Sequence, residues 1–224
     1  METVKEQTPL QRELDAAAQQ LAEVAPPEAI QTINGGIESL IASGIAHQSL
    51  KVGEHAPDFM LPNAAGGTVT LSEVLRAGPV VLVFYRGEWC PYCNLQLRSY
   101  QQALPTFKAY NATLLAISPQ TPDNSLTTLE QKNLAFPVLS DAGNTVARQY
   151  RLAYQVDRGV LETLRGLGID LSVYNGDEAG ELPLTGTFVI DQNSVIRWAA
   201  VEADFRRRPD PSEIVAALAA IQRG

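Results

Sequence analysis

The 224-residue sequence has two cysteines, which stand three positions apart in the segment Cys90-Pro91-Tyr92-Cys93. A Cys-x-x-Cys pair can form a reversible disulfide, supply half of a metal site, or attack a peroxide. The thiolate, rather than the thiol, is both the nucleophile and the metal ligand. The rest of the sequence must therefore show what surrounds the two sulfurs.

The residues flanking the pair predict an activating position. The run PVVLVFY (79–85) is typical of a strand buried on both faces, and the residues after Cys93 have the apolar spacing of a helix. Both sulfurs should then lie at a helix N-terminus, where the partial positive charge and the free N–H groups favour a thiolate. We expect Cys90 just before the first turn and Cys93 within it, at a distance that permits a disulfide.

A metal site has little support. Structural zinc takes four ligands, and beyond the cysteine pair only His47 and His55 could add nitrogen. These histidines are eight residues apart, outside the usual spacing of a zinc motif. We therefore expect no metal and no bound cofactor. We also do not expect the two cysteines to be inert and buried, because they lie at a strand-to-helix turn, where a thiol is activated.

Composition limits the partners and the compartment. The formal net charge is −8, and no basic stripe supports nucleic-acid binding. No apolar run approaches the roughly 20 residues that span a bilayer, and the N-terminal segment METVKEQTPLQREL lacks the apolar core of a secretory signal. Two cysteines cannot form a disulfide framework in a chain of this length. We expect a cytoplasmic protein that does not bind membranes.

Hydrophobic periodicity predicts an α/β sandwich with a mixed sheet, because strands alternate with helices and a hairpin comes late. Residues 1–50 are predicted as a helical extension and 51–224 as the main domain. The two N-terminal helices should pack on each other, on the main domain or on a partner subunit. Helices are predicted at 10–24, from 28 to about 41, after Cys93, and at 121–133, 144–150 and 211–221; strands at 79–85, 113–118, 136–141, 185–191 and 195–201, with a hairpin in 51–71.

Three local features carry expectations of their own. Pro105 should kink or interrupt the helix after the cysteines. Gly35 and Gly36 should weaken the second helix, each by ~1 kcal/mol relative to Ala. Residues 157–183 fit no single element, and we expect a helix followed by a turn-rich loop that overhangs one end of the sheet.

Four segments in register resemble the peroxiredoxins, the alkyl hydroperoxide reductase/thiol-specific antioxidant family of the thioredoxin superfamily. They are VGEHAPDFML, PVVLVFYRGEWCPYC, FPVLSDAGNTVARQY and TFVIDQNSVIR, and the similarity covers residues 51–221. A subgroup with Arg-Gly-x-Trp-Cys-Pro-Tyr-Cys is most similar, and it shares the Gly-Ile-Asp-Leu segment at 168–171. The resemblance implies a thioredoxin-like sandwich with a central mixed sheet, peroxiredoxin-type elaborations and an N-terminal extension.

The resemblance assigns the cysteines in two opposite ways. Against the peroxiredoxin pattern Pro-x-x-x-Thr-x-x-Cys, Arg86 replaces the Pro, Cys90 replaces the Thr, and Cys93 occupies the peroxidatic position. Against the thioredoxin pattern Trp-Cys-Gly-Pro-Cys, Trp89 matches the Trp and Cys90 becomes the exposed nucleophile.

Arginines are the main departure from the family pattern. The Arg that commonly precedes the late strand is absent, and Thr185 stands there. Arg86 could supply a cation beside the sulfurs, although an Arg at a strand end is more often solvated. The run Arg206-Arg207-Arg208 is predicted to be solvated or paired with nearby acids. Trp89 and Tyr92 could either shape an aromatic mouth for a substrate or partner or simply pack in the core.

The first hypothesis is a thiol peroxidase that reduces hydrogen peroxide or organic hydroperoxides. Cys93 would become a sulfenic acid, and Cys90 would form a disulfide with it that a thioredoxin-type reductant recycles. Two alternatives stay open: a thioredoxin-like disulfide oxidoreductase with Cys90 as nucleophile, and a redox-sensing binding module that acts through the N-terminal helices. A homodimer is compatible with the fold, but no motif specifies it.

Overall fold

The computed structural model describes residues 7–125 and 132–223. A five-stranded sheet in the order β5-β4-β3-β8-β9 forms the centre, and the pairs β1-β2 and β6-β7 form two small hairpins. The strands are β1 Met60–Pro62, β2 Thr68–Thr70, β3 Val80–Phe84, β4 Thr113–Ser118, β5 Val138–Ser140, β6 Ala153–Gln155, β7 Glu181–Pro183, β8 Thr185–Ile190 and β9 Ile196–Glu202. The helices are α1 Pro9–Val24, α2 Pro27–Ala42, α3 Leu71–Leu75, α4 Pro91–Ala109, α5 Thr145–Gln149, α6 Arg158–Gly166, α7 Leu171–Asn175 and α8 Pro211–Arg223, with a 3₁₀ turn at Ile45–Gln48.

The central strand β3 makes the sheet mixed. It pairs in parallel with β4, where Leu82 lies opposite Leu115, and antiparallel with β8, where Leu82 lies opposite Phe188. Every residue of β3 is buried, as its unbroken apolar sequence predicts. The predicted α/β sandwich with a central mixed sheet is confirmed.

Alternate residues of β3 point into two different cores. Val81 and Val83 belong to a cluster with α1, α4 and α8, whereas Val80, Leu82 and Phe84 belong to a cluster with α3 and α5. Both cysteines lie in the first cluster. The α4 side of the sheet therefore forms one wall around the two cysteines.

The N-terminal helices pack in different places. Helix α1 buries Leu10 and Leu14 in the α4 core, whereas α2 lies along α6. Gly36 permits that second contact, because a Cβ there would lie 2.7 Å from Cγ2 of Val160. The ends of the predicted apolar stripes are not buried, since Val24 and Ile41 are 76% and 53% exposed.

Some predicted elements differ from the structure. Helix α4 continues through Pro105, so the expected interruption is wrong; Leu104 and Phe107 keep this part of the helix packed in the core. The 157–183 segment is more ordered than expected, because it folds into α6 and α7 and then pairs with β6 through β7. The predicted helix at 121–133 falls partly on residues 126–131, which lie outside the described residues. No helix within the described ranges is both long enough and apolar enough to cross a membrane.

Candidate active site

The turn between β3 and α4 holds both cysteines at a helix N-terminus. Cys90 is the N-cap residue of α4, Pro91 begins the helix, and Cys93 follows in its first turn. Proline suits the first helical position because its missing N–H would have no intrahelical partner there. The sequence thus places both sulfurs at the positive end of the helix dipole.

Gly87 allows the turn to close. Its φ is +146°, and a Cβ there would lie 2.4 Å from Nε1 of Trp89. The N–H of Glu88 donates to Oε1 of the fully buried Gln120, and Nδ2 of Asn94 donates to the Glu88 carbonyl at 2.7 Å. These bonds tie the turn to the end of β4 and to α4.

Two nitrogen donors lie at the sulfur of Cys93. The backbone N–H of Arg86 lies 3.5 Å from Sγ, and Nη2 of Arg208 lies 3.4 Å from it. Both cysteines are free thiols, and their side chains are almost completely buried. The two donors therefore act in a water-poor environment, where a charged donor is strong.

The two thiols have opposite electrostatic environments. Burial alone would raise the pKa of Cys93, but a hydrogen bond from Cys90, the charge of Arg208 and the N–H and charge of Arg86 hold that pKa well below its ordinary value. Burial raises the pKa of Cys90, and its hydrogen bond to Cys93 raises it further. These directions favour the thiolate at Cys93 and the thiol at Cys90.

Arg208 is held in place by a buried polar network. Its Nη1 donates to Oε1 of Gln96 at 2.6 Å, and its Nε donates to the carbonyl of Phe205 at 2.8 Å. Nε2 of Gln96 in turn donates to the hydroxyl of Tyr100 at 3.1 Å and to that of Thr187 at 3.3 Å. The guanidinium is therefore oriented by α4 and β8 as well as by its own loop.

Arg86 is buried, contrary to the solvated position that is usual at a strand end. It is 4% exposed, and its Cζ lies 4.7 Å from the ring centroid of Trp89 and 3.9 Å from that of Phe205. Burial acts to lower its pKa, but the charges of Tyr154 and the cysteines raise it above the ordinary value. Arg86 is consequently a second fixed positive charge at the sulfurs.

The prediction for the run Arg206-Arg207-Arg208 is wrong at its last member. Arg206 pairs with Asp204 as expected and Arg207 is exposed, but Arg208 is 6% exposed and contacts Cys93. No spacing in the sequence relates Arg208 to a cysteine 115 residues earlier. The one local indication is that the run comes shortly before a helix, which begins at Pro211.

The aromatic residues lie on the outer side of the thiols. Trp89 is partly buried, and its Nε1 is an unpaired buried donor. Tyr92 is buried, and its ring centroid lies 5.6 Å from that of Phe205. In the described part of the chain, no group of three or more His, Cys, Asp or Glu residues could hold a metal ion.

A family model described as "AhpC/TSA family" matches residues 52–199, about two thirds of the chain. The N-terminal helices and Arg208 lie outside that stretch. A "Putative peroxiredoxin bcp" of Buchnera aphidicola is 38% identical over 103 residues, which are 46% of this chain and 64% of that protein. A putative peroxiredoxin of Mycobacterium tuberculosis is 28% identical over 176 residues, which cover 78% of this chain and 100% of that protein.

Solved structures show the same fold. The crystal structure of "Peroxidoxin BcpB" from Mycobacterium tuberculosis matches with a TM-score of 0.60 at 26% identity, and covers 77% of this chain and 98% of that one. A reduced 2-Cys peroxiredoxin of Plasmodium vivax matches with a TM-score of 0.61 at 20% identity, over 78% of this chain and 83% of that one. The chain belongs to the AhpC/TSA family and is a thiol-based peroxidase of the peroxiredoxin type.

Proposed function

We propose that Cys93 is the sulfur that attacks the peroxide and that Cys90 resolves the product. The observation that carries this assignment is the pair of donors on Sγ of Cys93, from the Arg86 backbone and the Arg208 guanidinium. They stabilise a thiolate, which is the attacking form. Cys90 stands at the family's threonine position, and its thiol supplies a hydrogen bond to the thiolate.

The first step oxidises Cys93. Its thiolate attacks one peroxide oxygen, an S–O bond forms, and the O–O bond breaks. The product is a sulfenic acid, and the leaving hydroxide or alkoxide takes a proton from water to become water or an alcohol. Arg86 and Arg208 offer positive charge where the leaving oxygen gains its electrons.

The second step closes a disulfide. Cys90 loses its proton and attacks Sγ of Cys93, an S–S bond forms, and the sulfenic oxygen leaves as water. A thioredoxin-type dithiol then reduces the disulfide through a mixed disulfide and is itself oxidised. All the chemistry uses sulfur, so the proposed cycle requires no cofactor.

One observation favours a second candidate, a disulfide oxidoreductase with Cys90 as nucleophile. Among the described residues that line the large groove beside the site, Cys90 is present and Cys93 is absent. A protein substrate approaching from the groove would meet Cys90 first. The raised pKa of Cys90 opposes this role, because a buried thiol that keeps its proton is a poor nucleophile.

Single cysteine variants decide between the two assignments. Reduced wild type, Cys90→Ser and Cys93→Ser are mixed with hydrogen peroxide, and sulfenic acid is trapped over time. We expect rapid sulfenic acid in Cys90→Ser and none above the rate of free cysteine in Cys93→Ser. Rapid trapping on Cys90 in Cys93→Ser would reverse the assignment. If neither the wild type nor either variant reacts faster than free cysteine, the peroxidase assignment fails. An insulin-reduction assay then tests the disulfide oxidoreductase alternative. Inactivity in that assay would favour a redox-sensing module.

Three further features belong to the same proposal. A cytoplasmic location is supported by the small number of cysteines and their predicted redox role. The division into an extension (1–50) and a main domain (51–224) is supported by the family match, which begins at residue 52. A homodimer is supported only by the family and can be tested by light scattering.

A further inference from the structure

The loop that carries Arg208 joins β9, at the edge of the central sheet, to helix α8. It spans residues 203–210 and has no helix or strand of its own. Arg208 donates to Sγ of Cys93, and the carbonyl of Phe205 accepts from Nε of Arg208. The ring centroid of Phe205 lies 3.9 Å from Cζ of Arg86. This loop therefore contacts both positive charges at the sulfurs, and such a loop needs neighbouring elements to hold it in place.

Arg206 connects this loop to both N-terminal helices. Its Nε and Nη2 donate to the two carboxylate oxygens of Asp204, at 2.8 and 2.9 Å. The remaining nitrogen, Nη1, donates to Oδ1 of Asn34 in α2 at 3.0 Å. The carbonyl of Arg206 accepts from Nε2 of Gln11 in α1 at 3.4 Å. Because the guanidinium is planar, its two bonds to Asp204 fix the direction in which Nη1 reaches α2.

Both N-terminal helices are anchored on the main domain at other places. Leu10 and Leu14 of α1 are buried in the α4 core, and α2 lies along α6. The family model matches residues 52–199, so the two helices and the 203–210 loop all lie outside it. Two segments from opposite ends of the chain thus contact each other, and one of them brings a cation to the sulfur of Cys93.

A partly exposed polar contact usually contributes little to stability. The contact of Arg206 matters because of its place in the loop: it follows Phe205 directly and precedes Arg208 by two residues. A shift of Arg206 would therefore move the Phe205 carbonyl that holds Nε of Arg208.

We propose that Asn34 and Arg206 are positioning residues, through which the N-terminal helices hold Arg208 at the sulfur of Cys93. This rests on the proposed role of Cys93 as the attacking sulfur. The N-terminal extension then acts on the reaction through a hydrogen-bonded chain that runs from α2 to the loop and from the loop to the thiolate. Energetic coupling through such a chain is commonly modest but measurable.

Titration of the Cys93 thiol tests the proposal without any peroxide. Thiolate absorbance is followed against pH in a Cys90→Ser background, where one thiol remains. Asn34→Leu removes the oxygen that accepts from Nη1 of Arg206 and keeps a side chain of similar size. We expect it to raise the pKa of Cys93, because the charge of Arg208 helps to lower that pKa. Oxidation by hydrogen peroxide near neutral pH should slow about threefold to tenfold.

Matched variants separate positioning from general damage to the fold. Asn34→Asp keeps an acceptor oxygen, so the pKa of Cys93 and the oxidation rate should stay close to those of the background. Gln31→Leu, at an exposed position of the same helix, should change neither quantity. If Asn34→Asp or Gln31→Leu raises the pKa as much as Asn34→Leu does, or if Asn34→Leu leaves it unchanged, the proposal is wrong.

Arg206→Met breaks the same hydrogen bond from the loop side and replaces Asn34→Leu if that variant does not fold. It should also raise the pKa of Cys93, whereas Arg207→Met, at the exposed next position, should not. Equal effects of these two variants would overturn the role of Arg206.

A double variant tests whether Asn34 acts through Arg208. In an Arg208→Met background, Asn34→Leu should raise the pKa of Cys93 by less than about half of its effect in the presence of Arg208. An undiminished effect would show another route and would contradict the proposal.

The outcomes for this inference and for the proposed function differ. If hydrogen peroxide oxidises wild-type Cys93 no faster than free cysteine, the proposed function fails, while the titration still decides whether Asn34 and Arg206 position Arg208. If hydrogen peroxide reacts rapidly but the pKa of Cys93 is the same with and without Asn34→Leu, only the positioning inference is wrong.

Discussion

Nη2 of Arg208 donates to Sγ of Cys93 across 3.4 Å, although the two residues are 115 positions apart in the chain. The contact joins the loop before α8 to the first turn of α4. It places a permanent cation on a sulfur that water does not reach. In such a setting a charge-assisted hydrogen bond is much stronger than at the surface.

Removing this cation should raise the pKa of Cys93. In Arg208→Met the thiolate loses its charged donor but keeps the backbone N–H of Arg86, so the pKa should move up toward the ordinary value of about 8.5. Peroxide oxidation near neutral pH should slow by about a hundredfold or more. Thiolate absorbance titrated against pH measures the shift. Arg207→Met, at the exposed neighbouring position, is the control, and an equal effect there would refute the role of Arg208.

Gln96 should act on the sulfur only through Arg208. Its amide oxygen accepts from Nη1 of Arg208, so Gln96→Leu frees the guanidinium to move while leaving its charge in the site. We expect a smaller rise in the pKa of Cys93 than in Arg208→Met, and a rate about tenfold lower. Gln102→Leu on the exposed face of α4 should change neither quantity.

The double variant Arg208→Met/Gln96→Leu adds a coupling test. If Gln96 works by orienting Arg208, the double variant should be no slower than Arg208→Met alone. Additive losses would show that Gln96 contributes to catalysis by another route.

Stability should depend on pH through Cys93. A group whose folded pKa is lowered binds fewer protons in the folded state than in the unfolded state at intermediate pH, so its contribution to stability grows as pH rises. The contribution should be small below the lowered folded pKa of Cys93 and complete near the unfolded value of about 8.5. The urea midpoint of reduced wild type minus that of Cys93→Ser should therefore increase with pH across this window. A flat difference would contradict a lowered pKa.

Two adjacent glycines in α2 should respond in opposite ways to alanine. Gly35 has open space around it, so Gly35→Ala should raise the free energy of unfolding by about 0.5–1 kcal/mol, the usual gain in a helix interior. In Gly36→Ala the new methyl group meets Val160, and the contact between α2 and α6 must widen. That strain should cancel or reverse the gain. Equal stabilisation of the two variants in urea unfolding would show that the helices are not in close contact.

The strands were predictable because their sequences are apolar on both faces. Residues 113–118 match β4 fully, and 79–85 exceed β3 by one residue at each end. Local rules also placed Cys90 and Cys93 at the start of a helix, because a buried strand precedes them and helical apolar spacing follows them. These features depend on residues that are adjacent in the chain, so the sequence alone is enough to predict them.

The burial of Arg86 and Arg208 could not be predicted, because it depends largely on contacts between residues that are far apart in the chain. Arg86 is buried because two rings from different segments, Trp89 and Phe205, cover its guanidinium. Arg208 is buried because Gln96 and Cys93 accept its hydrogen bonds. Apart from Trp89, each of these partners is distant in the chain from the arginine that it contacts, and a run of three arginines usually indicates a solvated surface. Likewise, Pro105 was expected to interrupt a helix that core packing keeps intact.

The long separation between Cys93 and Arg208 has a consequence for the newly made chain. During synthesis both thiols leave the ribosome well before the guanidinium that lowers the pKa of Cys93, and before β8 and β9 complete the sheet. Until then their pKa should stay near the value of a free cysteine, and few would be ionised at neutral pH. If Cys93 is the attacking sulfur, as proposed, sensitivity to peroxide should therefore appear only when folding is nearly complete.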